Sequence, residues 1–157
     1  GFFYSLINRR ENNKMSKFSR FMKANKIAKP NEKYAPTTTL QDENGKPLEW
    51  EFKQITSKEN EALRDSCTIE VPVKGKPNLY RPKVKTAEYL AKMIVASTVY
   101  PDLYDKELQD SYGVMTPEEL LYAMVDNAGE YQDFTVWMQK FQGFTKNLDD
   151  KVDEAKN

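Results

Sequence analysis

The chain contains no histidine. This removes the side chain that most often acts as a general base near neutral pH, along with histidine-dependent triads and His-containing zinc sites. There is one cysteine, Cys67, so no internal disulfide can form, which suits a reducing compartment. Without a histidine to activate it, Cys67 reads as a small buried residue rather than a nucleophile. No apolar run approaches the roughly 20 residues needed to cross a bilayer, which points to a soluble, intracellular chain. A net charge is missing as well, since 24 Lys and Arg balance 24 Asp and Glu. The pI of about 6.6 falls well short of the basic footprint of a nucleic-acid-binding domain.

What is present is a length of 157 residues, enough for one domain with its own core. Its 19 aromatic residues argue against disorder, while a mean hydropathy of −0.80 implies a modest core. The zero net charge hides an asymmetry. Residues 1–40 hold nine basic and two acidic side chains, whereas residues 101–135 hold one lysine and nine acids. Such a dipole can pair its own ends or steer a charged partner. Two solvated faces of opposite sign are the simpler reading.

Residues 1–14 read as an N-terminal extension. Gly1, Phe2 and Phe3 open a run too short for a secretory signal. Gly1 and Ser5 satisfy the myristoylation pattern. A third reading places the true start at Met15, because Arg9, Arg10 and Glu11 can be encoded by a purine-rich ribosome-binding sequence. On that reading residues 1–14 are dispensable.

The pattern from Met15 predicts an α+β fold: a mainly helical single domain over residues 15–144, with a small antiparallel hairpin in its N-terminal half. A short basic helix is expected over residues 15–28, with Phe18, Phe21 or Met22, and Ile27 on one side. Pro30 and Pro36 favour an extended stretch after it. The turn at residues 42–47, with Gly45 free to take positive φ, predicts a hairpin joining residues 37–41 to 48–54. Leu48, Trp50 and Phe52 alternate as in a strand buried on one face. Thr56 and Glu59 form a capping box, opening a helix from Ser57 to about Cys67. Residues 68–73 read as an edge strand because Pro72 cannot donate to a ladder. They lead through a second Gly-Lys-Pro turn, at residues 75–77, into residues 79–84.

The remainder reads as helical. Thr86 is expected to cap a helix with Leu90, Met93, Ile94 and Ser97 inside, stopped by Pro101. A short helix over residues 105–112 is closed by Gly113. Thr116, Pro117 and Glu119 make the cleanest helix start, opening a helix that carries Leu120, Leu121, Met124 and Val125 and ends near Asn127 or Gly129. The last helix spans residues 130–142, with Gly143 as terminator. Residues 145–157 are expected to form a polar tail or a frayed helix, with Leu148 and Val152 its only large apolar groups. Its Lys-Asn pairs, at residues 146–147 and 156–157, can be encoded by a slippery run that permits ribosomal frameshifting.

No constellation points to catalysis. Asp102, Asp105, Glu107 and Asp110 miss the spacing of an EF-hand and read as a solvated helix face. The Gly-Lys-Pro turns lack the upstream glycine and the following Ser or Thr of a P-loop. Hence the protein reads as no enzyme, with no catalytic residues, no metal and no cofactor. Lys74, Lys76, Arg81, Lys83 and Lys85 surround Tyr80 and could grip phosphates and stack a base. This basic hairpin over residues 74–85 is the alternative reading, a small nucleic-acid-binding adaptor. Tyr131, Phe134, Trp137, Met138, Phe141 and Phe144 form a stripe too broad for one narrow contact. Part of it should enter the core and part is left to face a protein partner, where aromatics and Met are favoured; core packing alone is the simpler account.

Residues 46–59 (KPLEWEFKQITSKE), 67–73 (CTIEVPV), 108–113 (LQDSYG) and 129–134 (GEYQDF), taken together and in order, resemble the XkdN-like phage tail assembly chaperones. The resemblance runs from about Met15 to Phe144. It implies a small helper in the host bacterial cytoplasm during prophage induction or late infection. Such a helper binds the tape measure protein transiently, keeps it soluble, helps recruit tail-tube protein subunits, and is absent from the mature virion. The family supplies no catalytic residues to carry over. Self-association is compatible with the role, whereas membrane or nucleic-acid partners are not implied. On this reading Tyr131, Trp137, Phe141 and Phe144 contribute to the partner-binding face.

Overall fold

The structure, a computed structural model, describes residues 17–144. The extension at residues 1–14 and the tail at residues 145–157, including Leu148, Val152 and the Lys-Asn pairs, lie outside the described residues. The chain divides into two compact units, Gly1–Pro30 and Asn31–Asn157.

In the first unit the continuous basic helix over residues 15–28 is not formed. Residues 17–19 are helical, and a 3₁₀ turn covers Lys23–Asn25. Along residues 21–26 the amides of Phe21, Met22, Asn25 and Lys26 each donate three residues back, at 3.0 to 3.1 Å. This tighter winding does not stack side chains at i and i+4, so no apolar stripe results. Phe18, Phe21 and Ile27 are exposed.

The second unit is α+β, as the sequence implies. A three-stranded antiparallel sheet has the order β1 (Glu32–Tyr34), β2 (Trp50–Phe52), β5 (Thr98–Tyr100). A separate ribbon pairs β3 (Thr68–Pro72) with β4 (Tyr80–Val84). Five helices complete the unit: α1 (Ser57–Ser66), α2 (Thr86–Ser97), α3 (Lys106–Ser111), α4 (Pro117–Met124) and α5 (Ala128–Phe141).

The alternation in β2 does what a half-buried strand should. Trp50 and Phe52 are buried at 2% and 0% exposure, whereas Leu48 lies before the strand and is exposed. The expected hairpin partner is displaced. The turn forms, with the Leu48 amide donating to the Leu40 carbonyl at 2.8 Å and a single bridge between Gln41 and Pro47. The ladder itself pairs β2 with residues further out, in the register Tyr34 with Trp50 and Glu32 with Phe52. Residues 37–39 instead leave the sheet and turn toward α5. On its other edge β2 pairs with β5 across an irregularity at Glu51 and Phe52. That strand replaces the predicted last turn of α2: the helix ends at Ser97, ahead of Pro101, and residues 98–100 extend along β2.

Helix starts follow the sequence closely. Glu59 N donates to Thr56 Oγ1 at 3.1 Å and Thr56 N to Glu59 Oε1 at 3.2 Å, completing the box. Thr116 accepts from Glu119 N at 3.1 Å. Thr86 is a correction: it is the first helical residue, and the N-cap is Lys85, which makes no side-chain cap bond. A second correction concerns α4. It stops at Met124, because Asn127 is already the N-cap of α5.

Helix α2 is the hub. Tyr89, Leu90, Met93, Ile94 and Ser97 are all buried, as are Ala91 and Val95, so it is apolar nearly all round and packs against α1, α4 and α5. Leu120, Leu121 and Val125 bury against it from the α4 segment, and Phe134 and Met138 from α5. Cys67 is a free, buried member of the same core. Each fully buried side chain of this kind contributes about 1.5 to 3 kcal/mol relative to exposure.

Candidate functional site

Helix α5 carries all the sequence-proposed contact residues except Phe144, which follows it, and it is pinned at both ends. At the N-terminus Asn127 Oδ1 accepts from Glu130 N at 2.9 Å. Asn127 and Glu130 have capping-box spacing, yet the Glu130 carboxylate does not fold back onto its own helix. It accepts from Thr37 Oγ1 at 2.9 Å, Thr38 N at 2.8 Å and Thr38 Oγ1 at 3.2 Å. Because Thr37 gives its proton to Glu130, the Thr39 hydroxyl, 2.8 Å away, must donate to Thr37. The Thr38 amide, followed by the Thr37 hydroxyl, holds the Glu130 carboxyl below its ordinary range. These bonds explain why residues 37–39 leave the sheet.

At the other end Gln142 Oε1 accepts from Ile55 N at 2.9 Å, and its Nε2 donates to Ser97 Oγ at 3.0 Å. Gln54 Nε2 donates to the Phe141 carbonyl at 2.7 Å. Gly143 takes φ of +95°, and the amides of Gly143 and Phe144 donate to the carbonyls of Lys140 and Gln139, each at 3.0 Å. That is a Schellman ending, which habitually turns the residue after the glycine back onto the last turn. Phe144 is accordingly half-buried against the core.

Between these anchors the aromatic stripe divides. Phe134 and Met138 are wholly buried. The Trp137 ring is stacked between Tyr34, at 4.5 Å and 8°, and Phe141, at 5.1 Å and 12°. Phe52 lies below, 5.2 Å from Trp137. Tyr34, Trp137, Phe141 and Phe144 are each half-buried. Burial, then the Asp133 and Glu130 carboxylates, raise the Tyr34 phenol above its ordinary pKa. Tyr131 stands apart. Its ring meets Tyr122 of α4 at 5.0 Å, and burial followed by the Tyr122 hydroxyl raises its pKa. Three of the four sequence-proposed residues thus lie along one end of α5, and the fourth lies on another side of the helix. Tyr34 is the member that sequence reasoning missed. It comes from a three-residue strand more than a hundred residues upstream, and nothing local marks it as a neighbour of Trp137.

The alternative basic hairpin is formed, but its groups do not converge. The β3–β4 register pairs Ile69 with Lys83, Val71 with Arg81 and Pro72 with Tyr80. Alternation then sends Arg81 and Lys83 to one face and Tyr80 to the other, so Tyr80 does not stack a base on the face those two cations line. The acidic run does local work: Asp102 accepts from Tyr104 N at 3.0 Å, and Asp105 caps α3 through Leu108 N at 2.8 Å. Among the described residues no group of three or more His, Cys, Asp or Glu could hold a metal ion. Among them, too, no helix is long and apolar enough to cross a membrane.

The sequence profile of the phage XkdN-like tail assembly chaperone proteins matches residues 18–156. The chain is 28% identical over 116 residues to the phage-like element PBSX protein XkdN of Bacillus subtilis, covering 74% of this chain and 77% of that protein. It is 26% identical over 151 residues to the uncharacterized protein YqbN of the same organism, covering 96% and 100% respectively. The crystal structure of YqbN superposes with a TM-score of 0.66 at 23% identity, over 80% of this chain and 95% of that one. The structural match speaks for the fold alone.

Proposed function

Because the chain belongs to the phage XkdN-like tail assembly chaperone family, we propose that it binds the tape measure protein transiently in the host bacterial cytoplasm. There it keeps that protein soluble and helps recruit tail-tube subunits, then leaves before the virion is complete. A long helical tape measure protein exposes apolar stripes until the tube covers them, and such surface drives aggregation. The helper therefore has to offer an apolar strip into which a helix can dock, with an affinity low enough for release.

The observation that carries this reading is the aromatic row at the end of α5. Tyr34, Trp137 and Phe141 are held in order by stacking, and Phe144 by the turn that ends the pinned helix, yet none is fully buried. Rigid aromatics with one side free bind partners with little loss of conformational entropy. Tyr131, beside Tyr122, is a flanking contact rather than part of the row. The role uses no catalytic group, so the protein acts by covering surface rather than by turnover.

The test is co-expression with the cognate tape measure protein. The natural chain should hold it in the soluble fraction. Phe141→Ala and Phe144→Ala, each confirmed as folded by circular dichroism and thermal melting, should release it to the insoluble fraction and lower its co-purification at least severalfold. Folded variants that solubilise it as well as the natural chain would refute the assignment of the row.

A further inference from the structure

The β3–β4 ribbon has a face that the core does not use. Its register places Ile69 and Val71 beside Lys83 and Arg81. Val73, whose amide donates to the Leu79 carbonyl at 2.9 Å, continues the same side with Leu79. The face is thus an apolar row, Ile69, Val71, Val73 and Leu79, bordered by Arg81 and Lys83. None of the four apolar residues belongs to the core cluster, which takes only Val84 from the ribbon. Ile69 and Leu79 are 43% and 48% exposed. Neither cation is ion-paired among the described residues. Pro72 and Pro82, one on each strand, lack amide protons, so neither edge offers an unbroken row for a third strand. A partner must therefore dock on the face.

We propose that this face docks a second copy of the chain, on the surface of residues 102–126. The case is charge complementarity on matching apolar ground. That stretch carries seven acids and a single lysine, Lys106. None of its carboxylates is ion-paired among the described residues. Set among the acids are exposed Tyr104, at 68%, and Met115, at 88%. Cations bordering an apolar row on one copy meet carboxylates bordering apolar side chains on the other, which is how polar rims and apolar centres are arranged in specific interfaces. The two patches are different surfaces of the same chain, so the contact is head-to-tail and can propagate. This association does not depend on which partner the aromatic row takes.

Sedimentation velocity of the full chain tests it. At low salt, about 50 mM, the weight-average mass should rise with protein concentration and return to the monomer at about 500 mM, because exposed charges are screened. Arg81→Gln with Lys83→Gln disables the basic face, and Asp110→Asn with Asp126→Asn disables the acidic one. All four positions are exposed, and neither aspartate lies in the first turn of a helix. Each double variant alone should remain monomeric, with association weakened at least tenfold. Mixed together they should form a 1:1 pair that grows no further, since one live face of each kind remains. That restored pair also shows that both variants fold. A natural chain that stays monomeric at low salt, variants that self-associate like it, or a mixture of folded variants that fails to pair would each overturn the proposal.

Discussion

Glu130 shows how one side chain can tie distant parts of the chain together. Its carboxylate accepts three hydrogen bonds from Thr37 and Thr38, fastening the stretch after β1 to the start of α5. The folded pKa lies below the ordinary value of 4.5. The clamp's contribution is therefore present in full above about pH 4.5 and is lost as pH falls through the lower folded value. Thermal melts of the natural chain should show that loss on acidification, and Glu130→Gln should show less of it while melting lower at neutral pH. Phe134 makes a second test at this scale. Its ring is wholly buried and meets Tyr34, Trp50 and Phe52 at 5.4 to 5.8 Å. Denaturant titration of Phe134→Ala should show a loss of about 3 to 5 kcal/mol, typical of a large aromatic removed from a core. Neither tie could be seen from local sequence. Asn127 and Glu130 have the spacing of a capping box, but which acceptor or donor a carboxylate finds depends on what the fold brings near it.

Elements whose reasons are local were legible, and those stabilised by distant pairing were not. Thr56 with Glu59, and Thr116 with Glu119, satisfy helix-start amides within four residues, so α1 and α4 begin where the sequence indicates. Thr116→Ala should lower stability by about 1 kcal/mol, measured by urea unfolding. The stop of α5 is equally local. Gly143 has φ of +95°, a conformation in which a Cβ is strained, so Gly143→Ala should cost about 1 to 2 kcal/mol in the same assay. It should also loosen Phe144, which the Schellman turn holds in place. By contrast, β1 and β5 are three residues each. Runs that short carry no reliable period, and they become strands only because β2 lies between them with both edges open. The first unit erred in the opposite direction: its apolar residues suggested a helical stripe, but 3₁₀ winding spread them into solvent.

At the scale of the molecule, one core joins β2, α2, α4 and α5, and its two tryptophans report on different depths of it. Trp50 is buried, whereas Trp137 is half-buried between Tyr34 and Phe141. A shared core should unfold as one cooperative transition, so tryptophan fluorescence and far-UV circular dichroism should give the same urea midpoint. Separate midpoints would show that the end of α5 opens independently. The sequence by itself determined the α+β class, most helix starts and stops, the apolar faces of α2 and α4, and the family resemblance. Those follow from periodicity and from bonds made within a few residues. Only the tertiary structure decided that β2 is a central strand, that Glu130 clamps Thr37 and Thr38, and that Tyr34 completes the aromatic row while Tyr131 leaves it. Each of those depends on contacts between residues tens to more than a hundred positions apart, whose pairing is chosen by how the whole core packs.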